Sequence, residues 1–336
     1  RPTTGNAGGT DDVDDATTVT GDAGALFNAG ADGVKSVSIN GGAFQVIHTV
    51  GGLAQTESVT WSAGTPGAGG VTTFPATGAT SGQPAATLVI KADGSYSFEL
   101  SAPVAHPTSG ASEENTTISI GDGDKASGTL NVAVNDDTPV AHEVVASRVL
   151  DDEAQSEFTP TNSGSNSWFD YSDTNPNYKS VTGTAGTLFT AGADGMKSVS
   201  IDGPEFTVVY MDGEGFARTE TVVWGEGVVA GDGSATFTAA SGNYPLGEGG
   251  AATLVISADG SYVFTLNAPL AHSDSSSFIE ENETLSFGFT VTDGDNDTAS
   301  GSLAISVDDD TPEPVVGFTR ATGLDDEAQE LFTPTN

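Results

Sequence analysis

Long stretches of the chain occur twice in the same order, and this internal repetition constrains the fold more than any other feature. Residues 20–33 (TGDAGALFNAGADG) return with few changes as residues 182–195 (TGTAGTLFTAGADG). The acidic tetrapeptide DDTP at 136–139 returns at 309–312. We therefore expect the chain to fold as consecutive copies of one kind of domain.

The same comparison predicts the domain boundaries. Residues 1–139 form a first, shortened repeat, and residues 140–312 form a second, complete repeat. Residues 313–336 contain a linker and the start of a third copy, because the LDDEAQ of 150–155 returns at 324–329. These boundaries predict a segment of a longer tandem array.

Short runs of β-branched and aromatic residues, bounded by Gly, Asp or Pro, predict β-strands in each repeat. Alternation of large apolar and small or polar residues, as in the YSFEL of 96–100 and the YVFTL of 262–266, gives one buried face and one wet face. With 44 Gly and no convincing helix, the fold class is all-β, with two-sheet sandwich repeats. In the first repeat the predicted strands are Val34–Ile39, Phe44–Thr49, Thr56–Trp61, Thr87–Ile90, Tyr96–Leu100 and Gly128–Val134.

The charge balance excludes several classes of function. The chain has 9 Lys+Arg against 47 Asp+Glu, a formal net charge of −38. A nucleic-acid partner is not expected, since so few cations cannot form a basic face, and anionic lipid is repelled. No apolar run is long enough for a membrane span, so direct membrane insertion is not expected either. The absence of Cys excludes disulfides and thiolate metal sites, and we expect an extracellular chain.

The acids are clustered, and the densest loop is Asp293-Gly294-Asp295-Asn296-Asp297. Packed carboxylates repel unless a cation joins them, and Ca²⁺ accepts irregular sets of six to eight oxygen ligands. We therefore predict Ca²⁺ on Asp293, Asp295 and Asp297. An EF-hand is excluded because Thr298 and Ala304 stand where that loop needs Gly and Glu. The counterpart loop, with Asp122 and Asp124, is shorter and carries Lys125, so its site is expected to be weaker or lost.

An alternative remains open for these acids: they form only a solvated, solubilising surface.

Five motifs that recur in the same order along the chain resemble the tandem repeats of giant bacterial RTX adhesins exported by type I secretion. They are LDDE at the repeat start, GADGxKSVSI, ADGSYxFxL, DGD, and VxDDTP at the repeat end. The resemblance covers nearly the whole chain and implies Ig- or cadherin-like sandwich modules joined by short acidic linkers that Ca²⁺ stiffens. Departures are the length of the repeats and the missing LDDE start of the first one.

The resemblance also implies a function and the ligands of the joints. The chain would be an extender segment of a secreted, cell-surface adhesin, contacting neighbouring repeats of the same chain and projecting an adhesive tip for attachment and biofilm formation. The implied Ca²⁺ ligands at the later joint are Glu280, Asp308, Asp309, Asp310, Asp325 and Asp326. Those at the earlier joint are Glu113, Asp136, Asp137, Asp151 and Asp152.

The sequence also bears on three other classes of function: an enzyme, a lectin-like module and a self-assembling filament. No enzyme is expected: the HEVVA at 142–146 lacks the second His of a zincin, and no nucleophile elbow or P-loop is present. His106 and His272, which follow APxA in both repeats, are interpreted as structural hydrogen-bonding residues. Aromatic residues peculiar to the second repeat, Trp168, Tyr171 and Tyr178, could form a platform for a glycan in a lectin-like module.

A third class of function is homotypic assembly into an extracellular filament through exposed sheet edges.

Overall fold

Alternating apolar residues produce an almost entirely β structure in the computed structural model of the chain. The structure describes residues 16–106, 116–122, 128–151, 178–241, 250–272 and 282–308. Within these ranges the only helical element is a 3₁₀ turn at Ala68–Gly70. The predicted all-β, sandwich-like fold class is confirmed.

The first repeat contains one large and one small antiparallel sheet. The large sheet has the order β1-β8-β7-β6-β4-β3, with β5 paired to β6, and the small sheet has the order β10-β9-β2. The strands are β1 (Thr18–Gly21), β2 (Ile39–Asn40), β3 (Gln45–Val50), β4 (Leu53–Trp61), β5 (Thr65–Pro66), β6 (Val71–Gly78), β7 (Pro84–Lys91), β8 (Tyr96–Leu100), β9 (Thr116–Asp122) and β10 (Thr129–Val134).

In the second repeat, the large sheet has the same order of corresponding strands as in the first repeat. The small sheet has more described strands than its counterpart. The orders are β14-β22-β21-β20-β18-β17, with β19 paired to β20, and β12-β24-β23-β16, with β13 paired to β24. The strands are β11 (Val140–Ala141), β12 (Glu143–Val145), β13 (Leu150–Asp151), β14 (Ser180–Gly183), β15 (Phe189–Thr190), β16 (Met196–Asp202), β17 (Phe206–Met211), β18 (Ala217–Trp224), β19 (Val228–Val229), β20 (Ala235–Ala240), β21 (Ala252–Ile256), β22 (Tyr262–Leu266), β23 (Glu283–Asp293) and β24 (Thr298–Asp308).

Each repeat buries its own apolar core. In β22, Tyr262, Phe264 and Leu266 are buried while Val263 is exposed, as the alternation predicts. Trp224 lies edge-on to Phe287, with ring centroids 5.2 Å apart. Because Phe287 belongs to β23 and Trp224 to β18, this contact joins the two sheets of the second repeat.

The prediction of a strand over Val34–Ile39 is wrong for most of its length. Only Ile39 and Asn40 pair, with Asp122 and Gly121 of β9. The near-identical sequence in the second repeat does form a strand, β16, along the partner strand β23. Ile39 pairs with Asp122, the last residue of β9 that the structure describes, whereas β16 pairs with β23 as far as Asp293.

The segment that follows Pro139 pairs with the second repeat. β11 pairs with β15, and β12 and β13 run parallel to β24 at the outer edge of the small sheet. Leu150 of β13 is fully buried in the second core. The segment 140–151 is therefore the first strand region of the second repeat.

The two repeats touch through glycine turns. The turn at Gly51-Gly52, between β3 and β4, meets the turn at 231–233, between β19 and β20. A Cβ on Gly52, whose φ is +82°, would lie 1.9 Å from the carbonyl oxygen of Asp232. Only glycine permits this backbone approach.

Glu57 of β4 supports the first repeat by holding a turn. Its Oε2 accepts hydrogen bonds from the backbone N–H groups of Thr80 (2.8 Å) and Ser81 (2.9 Å), and the Ser81 hydroxyl donates to Oε1. Burial alone would raise the pKa of Glu57, but these hydrogen bonds lower it below the usual glutamate value. The resulting stability is present above the ordinary pKa and is lost as the pH falls through the lowered pKa.

We predict that Glu57→Gln destabilises the first repeat at neutral pH by about 1–3 kcal/mol, because charge-assisted hydrogen bonds are lost. The variant should also lose less stability than the wild type on acidification. Chemical denaturation at several pH values measures both effects. Glu99→Gln, on the exposed face of β8, is the matched control. Equal acid sensitivity of wild type and Glu57→Gln would contradict the prediction.

Candidate metal centre at the joint between the repeats

His106 is brought to the joint by the segment that follows β8. The backbone of Pro103 accepts a hydrogen bond from Ile47 N–H (3.0 Å), and Ala105 N–H donates to Gln45 (3.0 Å). Val104 bridges to Val46, and both side chains are buried. His106 follows directly and is only 6 % exposed.

The acidic loop of the second repeat is the tight β23–β24 turn. Asp293 N–H donates to the Asp297 carbonyl (3.0 Å), and Asp297 N–H donates to Asp293 Oδ1 (2.7 Å). Asn296 occupies the left-handed region with φ of 90°. This closed turn holds Asp293, Asp295 and Asp297 on one buried side, with exposures of 0 %, 4 % and 1 %.

The turn also touches the first repeat. A Cβ on Gly294 would lie 2.7 Å from Ile47 Cγ2 and 2.8 Å from the carbonyl oxygen of Asp194. Across the same boundary, His106 N–H donates to Asp295 Oδ2 (2.9 Å). The joint is therefore packed as well as hydrogen-bonded.

The linker supplies a further carboxylate and positions another. Asp136, after β10, accepts from the N–H of Asp137 through Oδ1 (2.9 Å). Asp137 Oδ2 accepts from Ala193 N–H (2.6 Å), in the loop between β15 and β16. This bond fixes the loop that carries Asp194, which is 4 % exposed.

These side chains form two overlapping groups that share Asp295. The ligand atoms of His106, Asp136, Asp194 and Asp295 all lie within 4.8 Å of one another, and so do those of Asp293, Asp295 and Asp297. We call the six residues together the joint cluster. His106 Nδ1 lies 2.8 Å from Asp136 Oδ1 and 3.3 Å from Asp295 Oδ2.

Several oxygens of the joint cluster have no hydrogen-bond partner among the described residues. They are Asp194 Oδ2, Asp293 Oδ2 and Asp295 Oδ1, and all three are buried. Leaving such groups unpaired away from water costs on the order of 1–3 kcal/mol each, and more for charged groups. Unpaired, buried carboxylate oxygens gathered in one place could hold a metal ion.

The pKa values reflect the same crowding. Burial and the neighbouring Asp295 raise the pKa of Asp293 to about 8, and burial with the charges of Asp295 and Asp293 raises that of Asp194 well above its usual range. Burial alone would lower the pKa of His106, but Asp136 and Asp295 raise it to about 10. Hydrogen bonds from His106 lower the pKa of Asp295 despite its burial. A bound cation would favour the ionised carboxylates.

The structure unites two kinds of site that the sequence analysis had separated. Asp293, Asp295 and Asp297 come together as predicted for a loop site, and Asp136 of the predicted joint belongs to the same cluster. Asp137 lies beside them, but its carboxylate accepts a hydrogen bond from Ala193 N–H. Asp151 is in neither group; it pairs in register with Asp308, and both residues are buried at the end of the small sheet.

The remaining predicted ligands cannot be placed. Asp122 ends β9, and its side chain is not described. Glu113, Asp124, Asp152, Glu280, Asp309, Asp310, Asp325 and Asp326 lie outside the described residues, as do Trp168 and Tyr171.

Sequence reasoning missed Asp194 and undervalued His106. Asp194 stands in GADG, whose counterpart Asp32 in the first repeat is exposed, so the motif alone did not identify it. The signal for His106 was its return as His272 after the same APxA motif.

Tyr178, the one described residue of the three predicted platform aromatics, packs against the second repeat. Its carbonyl accepts from Asp151 N–H (2.9 Å), and the Arg148 guanidinium lies 4.5 Å from its ring centroid. The half-buried ring packs against the second core.

Comparison with known families and with curated proteins finds no match for this chain. Within the described ranges, no helix has the length and apolar character needed to cross a membrane.

We predict that Gly294→Ala loosens the joint, because the added methyl would overlap Ile47 and the Asp194 carbonyl. Overpacking of this kind typically costs about 1–3 kcal/mol. Small-angle scattering should show a broader distribution of end-to-end distances than in the wild type. The matched control is Gly213→Ala, where a Cβ meets nothing within 4 Å. Identical scattering of wild type and Gly294→Ala would show that this contact does not hold the joint.

Proposed function

We propose that the joint cluster binds Ca²⁺ and that the bound ion fixes consecutive β-sandwich repeats in one orientation. The observation that carries the proposal is that the carboxylates of the cluster, and the histidine that orients them, come from different parts of the chain. His106 comes from the first repeat, Asp136 from the linker, and Asp194 with the Asp293–Asp297 turn from the second repeat. An ion held by all three parts resists their relative motion.

The donor set favours Ca²⁺ over other cations. The cluster offers carboxylate oxygens in an irregular arrangement, and Ca²⁺ accepts six to eight oxygens at about 2.3–2.6 Å. Two ligands on opposite sides of such an ion are about 5 Å apart, which matches groups whose atoms lie within 4.8 Å of one another. Mg²⁺ demands a smaller, near-octahedral shell.

His106 has a positioning role in this proposal. Its backbone N–H donates to Asp295 Oδ2, and its ring lies within hydrogen-bonding distance of Asp136 and Asp295. These contacts orient carboxylates from the linker and from the second repeat toward the shared space. The imidazolium also offsets one negative charge of the cluster when the ion has left.

The glycine turns supply a second contact between the repeats. One contact allows the repeats to pivot, whereas two separated contacts restrict rotation. Without Ca²⁺ the carboxylates repel and weaken the first contact. With Ca²⁺ the cluster and the Gly51–Gly52 contact with 231–233 act together.

A stiff, highly acidic array of such repeats suits an extender segment of a secreted bacterial surface adhesin, which holds a binding tip away from the cell. Extracellular Ca²⁺ is millimolar, and modules of this kind bind with Kd of about 10⁻⁴–10⁻³ M. The ion would therefore bind after export and act where stiffness is needed. Support for this proposal comes from the tandem repeats, the resemblance to RTX adhesin repeats and the cross-repeat cluster.

We predict a Ca²⁺-selective rise in Tm for the wild-type chain, measured from EDTA into a Ca²⁺ series, with Mg²⁺ at equal ionic strength as reference. One site held at about 100 Kd adds roughly 2.7 kcal/mol. Asp295→Asn should remove most of the rise, because Asp295 belongs to both groups.

The control for this experiment is Asp202→Asn, an identical chemical change at an exposed position of β16. It should keep the full Ca²⁺ response. Equal responses to Ca²⁺ and Mg²⁺, or an unchanged response in Asp295→Asn, would overturn the proposal.

A further inference from the structure

His106 brings a different kind of donor atom to the joint cluster. Its side chain is 2 % exposed, and Nδ1 lies 2.8 Å from Asp136 Oδ1 and 3.3 Å from Asp295 Oδ2. Even so, neither ring nitrogen has a partner in hydrogen-bonding geometry. Because a buried polar group without a partner costs free energy, we expect this ring to meet a ligand.

The spacing around the ring suits a small transition-metal ion. Zn²⁺ binds His nitrogen and carboxylate oxygen at about 2.0–2.2 Å in a tetrahedral set, which places neighbouring ligand atoms about 3.3 Å apart. The distances from His106 Nδ1 to the two carboxylates are close to this value. With Asp194, these residues supply the four ligands of a closed structural site. We call them the histidine group: His106, Asp136, Asp194 and Asp295.

The charge of the joint cluster also requires more than one ion. Five aspartates are gathered there, and one divalent cation compensates only part of their charge. The other three-residue set, which we call the turn group, consists of Asp293, Asp295 and Asp297. It offers oxygens alone and suits a hard ion such as Ca²⁺. Asp295 belongs to both groups, and its two carboxylate oxygens allow it to serve two ions.

We propose that the histidine group is a second metal site, which binds a first-row transition ion such as Zn²⁺ through a ring nitrogen of His106. Imidazole favours such ions, whereas Ca²⁺ and Mg²⁺ prefer oxygen. The incoming ion displaces the ring proton to water. The carboxylates that attract the imidazolium attract a divalent ion more strongly, because its charge is twice as large. The proposal rests on the proposed binding of metal by the joint cluster but not on its selectivity for Ca²⁺.

The two sites have different effects on the joint. The turn group lies wholly in the second repeat, so Ca²⁺ bound there acts on the joint through Asp295. The histidine group takes His106 from the first repeat, Asp136 from the linker, and its other ligands from the second repeat. A transition ion at this group therefore ties the three parts together directly.

Titration of the full chain with Zn²⁺ tests the site, in competition with a chromophoric chelator and with excess Mg²⁺ to occupy exposed carboxylates. The wild type should bind a single Zn²⁺ and keep it when millimolar Ca²⁺ is added. His106→Asn should weaken Zn²⁺ binding by at least roughly tenfold, since even supporting groups of a metal site contribute about 10–100-fold. It should keep most of the Ca²⁺-dependent rise in Tm, because the turn group is unchanged and the backbone N–H at 106 still bonds to Asp295.

Asp293→Asn gives the reverse separation. It removes a charge from the turn group alone and keeps an oxygen that can accept from Asp297 N–H. This variant should lose much of the Ca²⁺ response and still bind Zn²⁺. The matched control is His142→Asn, the same change at an exposed histidine, which should bind Zn²⁺ as the wild type does.

Affinities for Zn²⁺ and Ca²⁺ that fall by the same factor in His106→Asn would overturn the proposal, because the ring would then only orient carboxylates. Zn²⁺ binding no tighter than that of Mg²⁺, or weakened equally by His142→Asn, would also overturn it. If Zn²⁺ binds at His106 while Ca²⁺ raises Tm no more than Mg²⁺ does, the second site stands and the proposed Ca²⁺ function fails.

Discussion

The arrangement of the two repeats depends on burying five aspartates and one histidine in a single place. His106 and Asp136 arrive from one side of the boundary, and Asp194, Asp293, Asp295 and Asp297 from the other. Buried carboxylates are tolerated only when they are paired, protonated or bound to a cation. The stability of the joint therefore depends on how these carboxylates are compensated.

Strands of both sandwiches position this cluster. The long β23–β24 hairpin presents the Asp293–Asp297 turn, and the bridge of Val104 to Val46 presents His106. Both the turn and His106 lie against β3, since Gly294 is packed on Ile47 and Ile47 N–H is bonded to Pro103. A change in the joint cluster would thus reach the core of the first repeat directly.

The two repeats also show how one sequence pattern gives two local outcomes. GADGxKSVSI forms the strand β16 along β23 in the second repeat, whereas in the first repeat only Ile39 and Asn40 pair with the described part of β9. Likewise, Leu188 and Phe189 are covered by the segment 140–151, while Leu26 and Phe27 remain half-buried. In both cases, matching local sequences have different surroundings in the described part of the chain.

The sequence by itself determined the repeats, the β-strands with strict alternation, and the clustering of acids in the 293–297 loop and in DDTP. These are local patterns, with a period of two residues or a short fixed spacing. Only the tertiary structure decided that Asp136 lies with the loop acids and that Asp194 and His106 complete the cluster. It also decided that Asp137 accepts a hydrogen bond from Ala193 N–H instead. These residues are far apart in the chain, and strand register and the packing of one repeat on the next bring their side chains together.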